Sequence, residues 1–148
     1  MTANSKTQAD DVDERITALN TNFKGSGYQF TLKDTDWNVN QKWAKYQDVA
    51  AMQKKLRKGD EGTLNLYYHT FVEDDDTNGL CSFPVDAADN LNEDSCHILY
   101  SAPLSTTVHE TGHWFGLLHV SSKIDELIFN RNRGLTASDL RGWLRWRR

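Results

Sequence analysis

The run VHETGHWFGLLH, Val108 to His119, fixes five residues by spacing: His109, Glu110, His113, Gly116 and His119. Histidines four apart project from one face of a helix with about 3.6 residues per turn, so His109 and His113 can share one metal ion. Glu110 falls beside that face, in reach of a metal-bound water without occupying a ligand position. Gly116 has no side chain and tolerates the left-handed conformation that ends a helix, which lets the backbone turn back and return His119 to the same metal. The chain is thereby constrained to place a helix, a sharp glycine exit and a third histidine around one point. Three imidazoles leaving one open position are the ligand set of a catalytic zinc rather than a closed structural one. Such a zinc, one per chain, would activate a water by Lewis acidity. Glu110 would take the water's proton and hand it to a leaving amine. A buried helix that happens to carry histidines is the plain alternative for HExxH alone; the extension through Gly116 and His119 favours the metal. Val108, Gly112, Phe115 and Leu118 are expected to face the core.

The rest of the chain narrows the class. Its 148 residues, 38% hydrophobic and 26% charged, suit a single globular domain. No apolar run approaches the about 18 residues that a membrane-spanning helix requires. The opening MTANSKTQADD lacks the basic start, apolar middle and cleavage site of a secretory signal. Residues 1–120 carry 10 Lys/Arg against 18 Asp/Glu, whereas 121–148 carry 7 against 3. The acidic body argues against a nucleic-acid partner, whose binding rests on a basic face. In the basic tail, Ser122 and Thr136 are positioned to start short helices, and Leu140, Trp143 and Leu144 form an apolar stripe among arginines. Contact of that tail with an anionic membrane is the weaker reading; a divergent basic tail without a selected role is the stronger.

Periodicity sketches the elements. Val12, Ile16, Leu19 and Phe23 mark an amphipathic helix over 10–24, stopped by Gly25. Residues 1–9 read as a flexible N-terminus. The alternation of Tyr28, Phe30 and Leu32 predicts a strand in YQFTLKDT. Trp37 falls on a loop and Trp43 opens a second helix running to about Arg57, with both indoles read as packing. TLNLYYHTFV, GLCSFPV and HILYS read as further strands, giving an α+β or α/β-like sheet with helices packed on it. His69 and His97 are expected to be partly exposed structural histidines. Asp74, Asp76, Asn78 and Gly79 match the first half of a calcium loop, but Val85 stands where a bidentate Glu is needed. The segment instead reads as an acidic hairpin with Asn78-Gly79 at its turn. Spacing alone leaves Cys81 and Cys96 open between a disulfide, worth about 3 kcal/mol for a loop of about 15 residues, and two buried thiols.

VHETGHWFGLLH resembles the active-site helix of metzincin zinc peptidases. Together with LNTNFKGSGYQFTL, DTDWNVNQKW, KKLRKGDEGTLNLYY, GLCSFPV and HILYSAPLS, it resembles the cytophagalysin or pappalysin family, especially its fungal secreted metalloproteases. The resemblance covers about residues 10–120. It implies that His109, His113 and His119 bind zinc, that Glu110 is the general base, that Cys81 and Cys96 form a disulfide, and that the protein is secreted and acts on proteins or peptides. It implies a metzincin-like twisted sheet with a backing helix and an active-site helix. The family also has a signal peptide, a pro-segment, a Gly-rich stretch before the motif and a Met-turn subdomain beneath the metal. Here SAPLS runs directly into TTVHE, and the methionines, Met1 and Met52, both precede the motif. The expectation is therefore an upper catalytic subdomain over 10–120 followed by a divergent tail over 121–148. A zinc endopeptidase is the first functional expectation, and a truncated zinc-binding remnant without turnover is the alternative.

Overall fold

The computed structural model describes residues 5–83 and 90–119, the side chains from residue 11 onward. Met1–Gly116 cluster as one compact unit, and Leu117 opens a second. Helix α1 spans Ser5–Phe23, beginning earlier than its apolar stripe. Leu19 is fully buried, and Arg15, one turn before it, is only 8% exposed. The expected second helix is two: α2, Gln41–Ala44, and α3, Val49–Leu56. Asn40 caps α2 by accepting from the amides of Lys42 and Trp43. The break falls where Tyr46 and Asp48 both adopt φ of 56°, a conformation no helix interior accommodates.

Strands β1, Leu66–His69, β2, Gly79–Cys81, and β3, Cys96–Leu99, form a sheet of order β1-β3-β2 among the described residues. β1 runs parallel to β3 with Leu66 opposite Cys96, and β2 runs antiparallel with Gly79 opposite Ile98 and Cys81 opposite Cys96. This order corrects the expected hairpin. β1 and β2 are not neighbours, and Leu99 already donates to the Asn78 carbonyl, so Asn78-Gly79 begins a strand instead of turning between two. The turn lies earlier, where the Asp74 carboxylate accepts from the Asp76 amide and the Thr77 hydroxyl.

Residues 28–35 form no strand, which corrects a second expectation. The Asn20 side chain clamps both backbone groups of Phe30, donating to its carbonyl at 2.9 Å and accepting from its amide at 2.7 Å. Tyr28 and Phe30 turn their rings to Phe115 instead of joining a pleated face. Further on, Lys58 holds Asp34 and Asp36 at 2.5 and 2.7 Å.

The last described helix, α4, spans Leu104–Trp114. One face of the sheet, bearing Cys96 and Ile98, packs with Ala102, Leu66, Tyr68 and Trp114 on the α4 side. The opposite face carries His69 and His97 toward α2 and α3. Mixed helix and sheet make the chain α+β.

Candidate metal centre

Helix α4 carries the motif, and its buried side is polar. Thr107 and Thr111 are fully buried, and Glu110 is 5% exposed. Of the residues expected to face the core, Gly112 is buried, Val108 and Phe115 are half-buried, and Leu118 is exposed. The helix is held by hydrogen bonds where greasy packing was expected. The Arg15 guanidinium donates to Thr107 Oγ1 at 3.3 Å and to the Tyr100 carbonyl at 3.1 Å, while lying 4.2 Å over the Tyr68 ring. Tyr68 Oη and Thr107 Oγ1 are 3.1 Å apart, and burial raises the Tyr68 phenol pKa, keeping it a neutral partner. At the other end, Trp114 Nε1 donates to Asp94 Oδ1 at 2.5 Å. The second Asp94 oxygen meets Arg57 at 3.1 Å in an ion pair shielded from solvent. Sequence reasoning missed Arg15, Asp94 and Arg57. Arg15 alone left a trace, since it sits at helical spacing within the stripe of Val12 and Leu19.

Anchored this way, the exposed face presents His109 and His113, whose Nε2 atoms lie 3.1 Å apart. Phe115 packs against Phe23 and Tyr28 at centroid distances of 5.4 and 4.4 Å, and Gly116 follows with φ of 85°. The helix thus ends in a left-handed glycine, whose amide donates to the His113 carbonyl at 2.7 Å. Within this unit, His109 and His113 are a pair suited to one metal ion; His119, the third histidine of the motif, belongs to the second unit. The donors fit zinc. Zn–N bonds of about 2.0–2.1 Å in a tetrahedron set neighbouring nitrogens about 3.3 Å apart. The His109–His113 separation is already close to that.

Beside the histidines, Cys81 and Cys96 are joined by a disulfide whose Cα atoms are 4.1 Å apart. Cys96 Sγ lies 3.7 Å from the Glu110 carbonyl oxygen, so the crosslink sits directly beneath the motif. His69 and His97 depart from expectation. They are buried at 3% and 2% exposure, and they bond to each other on the face of the sheet away from α4. The acidic loop contributes exposed Asp74, Asp75 and Asp76; Val85 and the tail residues Ser122, Thr136, Leu140, Trp143 and Leu144 lie outside the described residues.

The chain is 39% identical over 122 residues to a Sordaria macrospora protein named "Extracellular metalloprotease", covering 73% of this chain and 42% of that protein. It is 37% identical over 122 residues to "Extracellular metalloprotease NCU07200" of Neurospora crassa, with 73% and 42% covered. It is 34% identical over 122 residues to "Extracellular metalloprotease 1" of Coccidioides posadasii, with 73% and 43% covered. The chain thus spans less than half the length of these curated relatives. No family model matches the chain, and no solved structure matches it.

Proposed function

We propose, from this kinship with fungal proteins named extracellular metalloproteases, that the chain carries the zinc-binding part of a metzincin-type, cytophagalysin-like endopeptidase that cleaves extracellular proteins or peptides. The single observation that carries this reading is the pairing of the His109 and His113 Nε2 atoms 3.1 Å apart on one face of α4, with His119 supplied by the motif just beyond the glycine exit. These three side chains would hold one zinc ion. When bound, zinc supplies a Lewis acid that lowers the pKa of a coordinated water toward about 7 and polarises a carbonyl. Glu110 then serves as general base, accepting the proton of the attacking water and delivering it to the departing amide nitrogen. Its buried backbone, fixed through Thr107, Thr111 and Trp114, supports a constant carboxylate position. The Cys81–Cys96 disulfide supports an oxidising, extracellular setting.

Metal analysis and casein cleavage test the proposal together. Purified protein is expected to hold close to one zinc per chain. Glu110→Gln is expected to keep the metal and abolish cleavage, because an amide keeps the shape of the carboxylate but accepts no proton. Absence of zinc after refolding with the ion would overturn the site. Zinc without Glu110-dependent cleavage would instead support the metal-binding remnant.

A further inference from the structure

Gly79 opens β2 directly across from Ile98, on the sheet face that carries α4. Its backbone does not require glycine, since its φ lies outside the left-handed region. A strand gains nothing from glycine either; the residue weakens a ladder and typically marks a close approach by another group. The approaching group here is Glu110. A Cβ built on Gly79 would lie 2.8 Å from Glu110 Cγ and 3.1 Å from both Cδ and Oε1, and the first of these distances is inside van der Waals contact.

Neither backbone has room to retreat. β2 is tied to β3 by the Cys81–Cys96 disulfide two residues on. α4 is pinned from α1 through Arg15 and Thr107, and from Asp94 through Trp114. Relief therefore falls on the Glu110 side chain, whose clashing atom is Cγ. Moving Cγ requires rotation about χ1, and a helix restricts χ1 to two of its three wells.

We propose that Gly79 is a positioning residue for Glu110: the missing side chain on β2 is the space that seats the Glu110 carboxylate beside the histidine face. This inference rests on the proposed reading of Glu110 as general base, yet the packing relationship is testable without turnover.

The experiment measures Tm of the metal-free, disulfide-intact full chain for Gly79→Ala in three backgrounds. With Glu110 present, the added methyl is expected to lower Tm by about 3 °C or more, the shift corresponding to moderate steric strain in a chain of this size. In a Glu110→Gln background the loss persists, because Gln has the same shape. In a Glu110→Ala background, or Glu110→Ser if that variant fails to fold, the sign reverses. There Gly79→Ala raises Tm by about 1–3 °C, since alanine then fits and restricts the unfolded chain. Equal shifts in all backgrounds, or no shift with Glu110 present, would overturn the inference. On activity, Gly79→Ala is expected to reduce kcat about 10- to 100-fold with KM and zinc content unchanged, the penalty of a carboxylate displaced by about 1 Å. A loss confined to KM would also overturn the positioning role. If the sign reversal holds while the parent chain cleaves nothing, the endopeptidase reading fails and the Gly79–Glu110 fit stands.

Discussion

His69 Nε2 and His97 Nδ1 face each other at 3.0 Å, and the outer nitrogens of both rings are engaged, which fixes the protons along the pair. His69 Nδ1 lies 2.7 Å from the Trp43 carbonyl and must donate to it, leaving Nε2 as acceptor. His97 therefore donates from Nδ1 and accepts at Nε2 from the Gln53 amide at 3.1 Å and the Ser95 hydroxyl at 3.3 Å. Both rings are neutral in this arrangement. Tyr46 and Tyr67 close over them with their rings. A further proton on either histidine would set N–H against N–H.

Acid sensitivity follows from that pair. Burial, with a smaller contribution from the neighbouring His69, lowers the His97 pKa from 6.5 to about 3. Burial also lowers that of His69, partly offset by its bond to Trp43. The unfolded chain protonates His97 near 6.5 while the folded chain does not, so the unfolded state binds more protons between the two values. Stability is complete above pH about 6.5 and falls as pH drops toward about 3, by somewhat more than 1 kcal/mol per pH unit for this group. Urea midpoints between pH 4 and 7.5 check it. His97→Phe is expected to lower stability at pH 7, where Gln53 loses one of its two acceptors and keeps Ser95 Oγ, and to flatten the acid limb.

The Asp94 carboxylate ties the motif helix to the Arg57 guanidinium, so its removal strands a buried charge. Asp94→Ala is expected to cost about 3 kcal/mol, and Trp114→Phe, which removes one hydrogen bond, about 1 kcal/mol. Denaturant unfolding gives both values. Asp94→Ala is also expected to weaken zinc retention in a chelator titration, because the helix end next to His113 loses its tether.

For the metal centre, His113→Ala is expected to reduce zinc from near one per chain to a small fraction, measured by atomic emission after dialysis. His119→Ala, which leaves the His109–His113 pair in place, is expected to bind more weakly while retaining some metal at high zinc concentration.

Mass spectrometry of non-reduced tryptic peptides is expected to show Cys81 linked to Cys96 in protein recovered from an oxidising compartment. Reduction is expected to lower stability by about 3 kcal/mol, the chain-entropy value for a loop of about 15 residues. Two free thiols in such protein would contradict the linkage.

The motif was readable from sequence because metal coordination demands particular residue types at particular helical offsets, and the glycine exit at Gly116 came with them. The stripe of α1 and the approximate positions of the three strands were readable from periodicity. What escaped were relationships between distant residues. Arg15 meets Tyr100 and Thr107, and Asp94 meets Trp114 and Arg57, without any local pattern announcing a partner. The alternation of Tyr28, Phe30 and Leu32 satisfies the rule for a strand, yet Asn20 and Phe115 compete successfully for that segment. Asn78-Gly79 is a turn signal by composition; only the neighbouring Glu110 reveals a different reason for the glycine.

The contact from Arg15 to Thr107 spans 92 residues, and this gives the chain a temporal order as well as a spatial one. α4 follows every other described element in sequence, and the clamp that immobilises it comes from α1, the first of the described helices. Closing so long a segment carries a loop-entropy cost that short-range contacts do not share. The His109–His113 spacing is set by the turn of α4 itself, whereas the seat of α4 against α1 is completed only when the two ends of the unit meet. Stable metal capture therefore reports a finished fold, and in a refolding time course zinc uptake should trail the burial of the sheet.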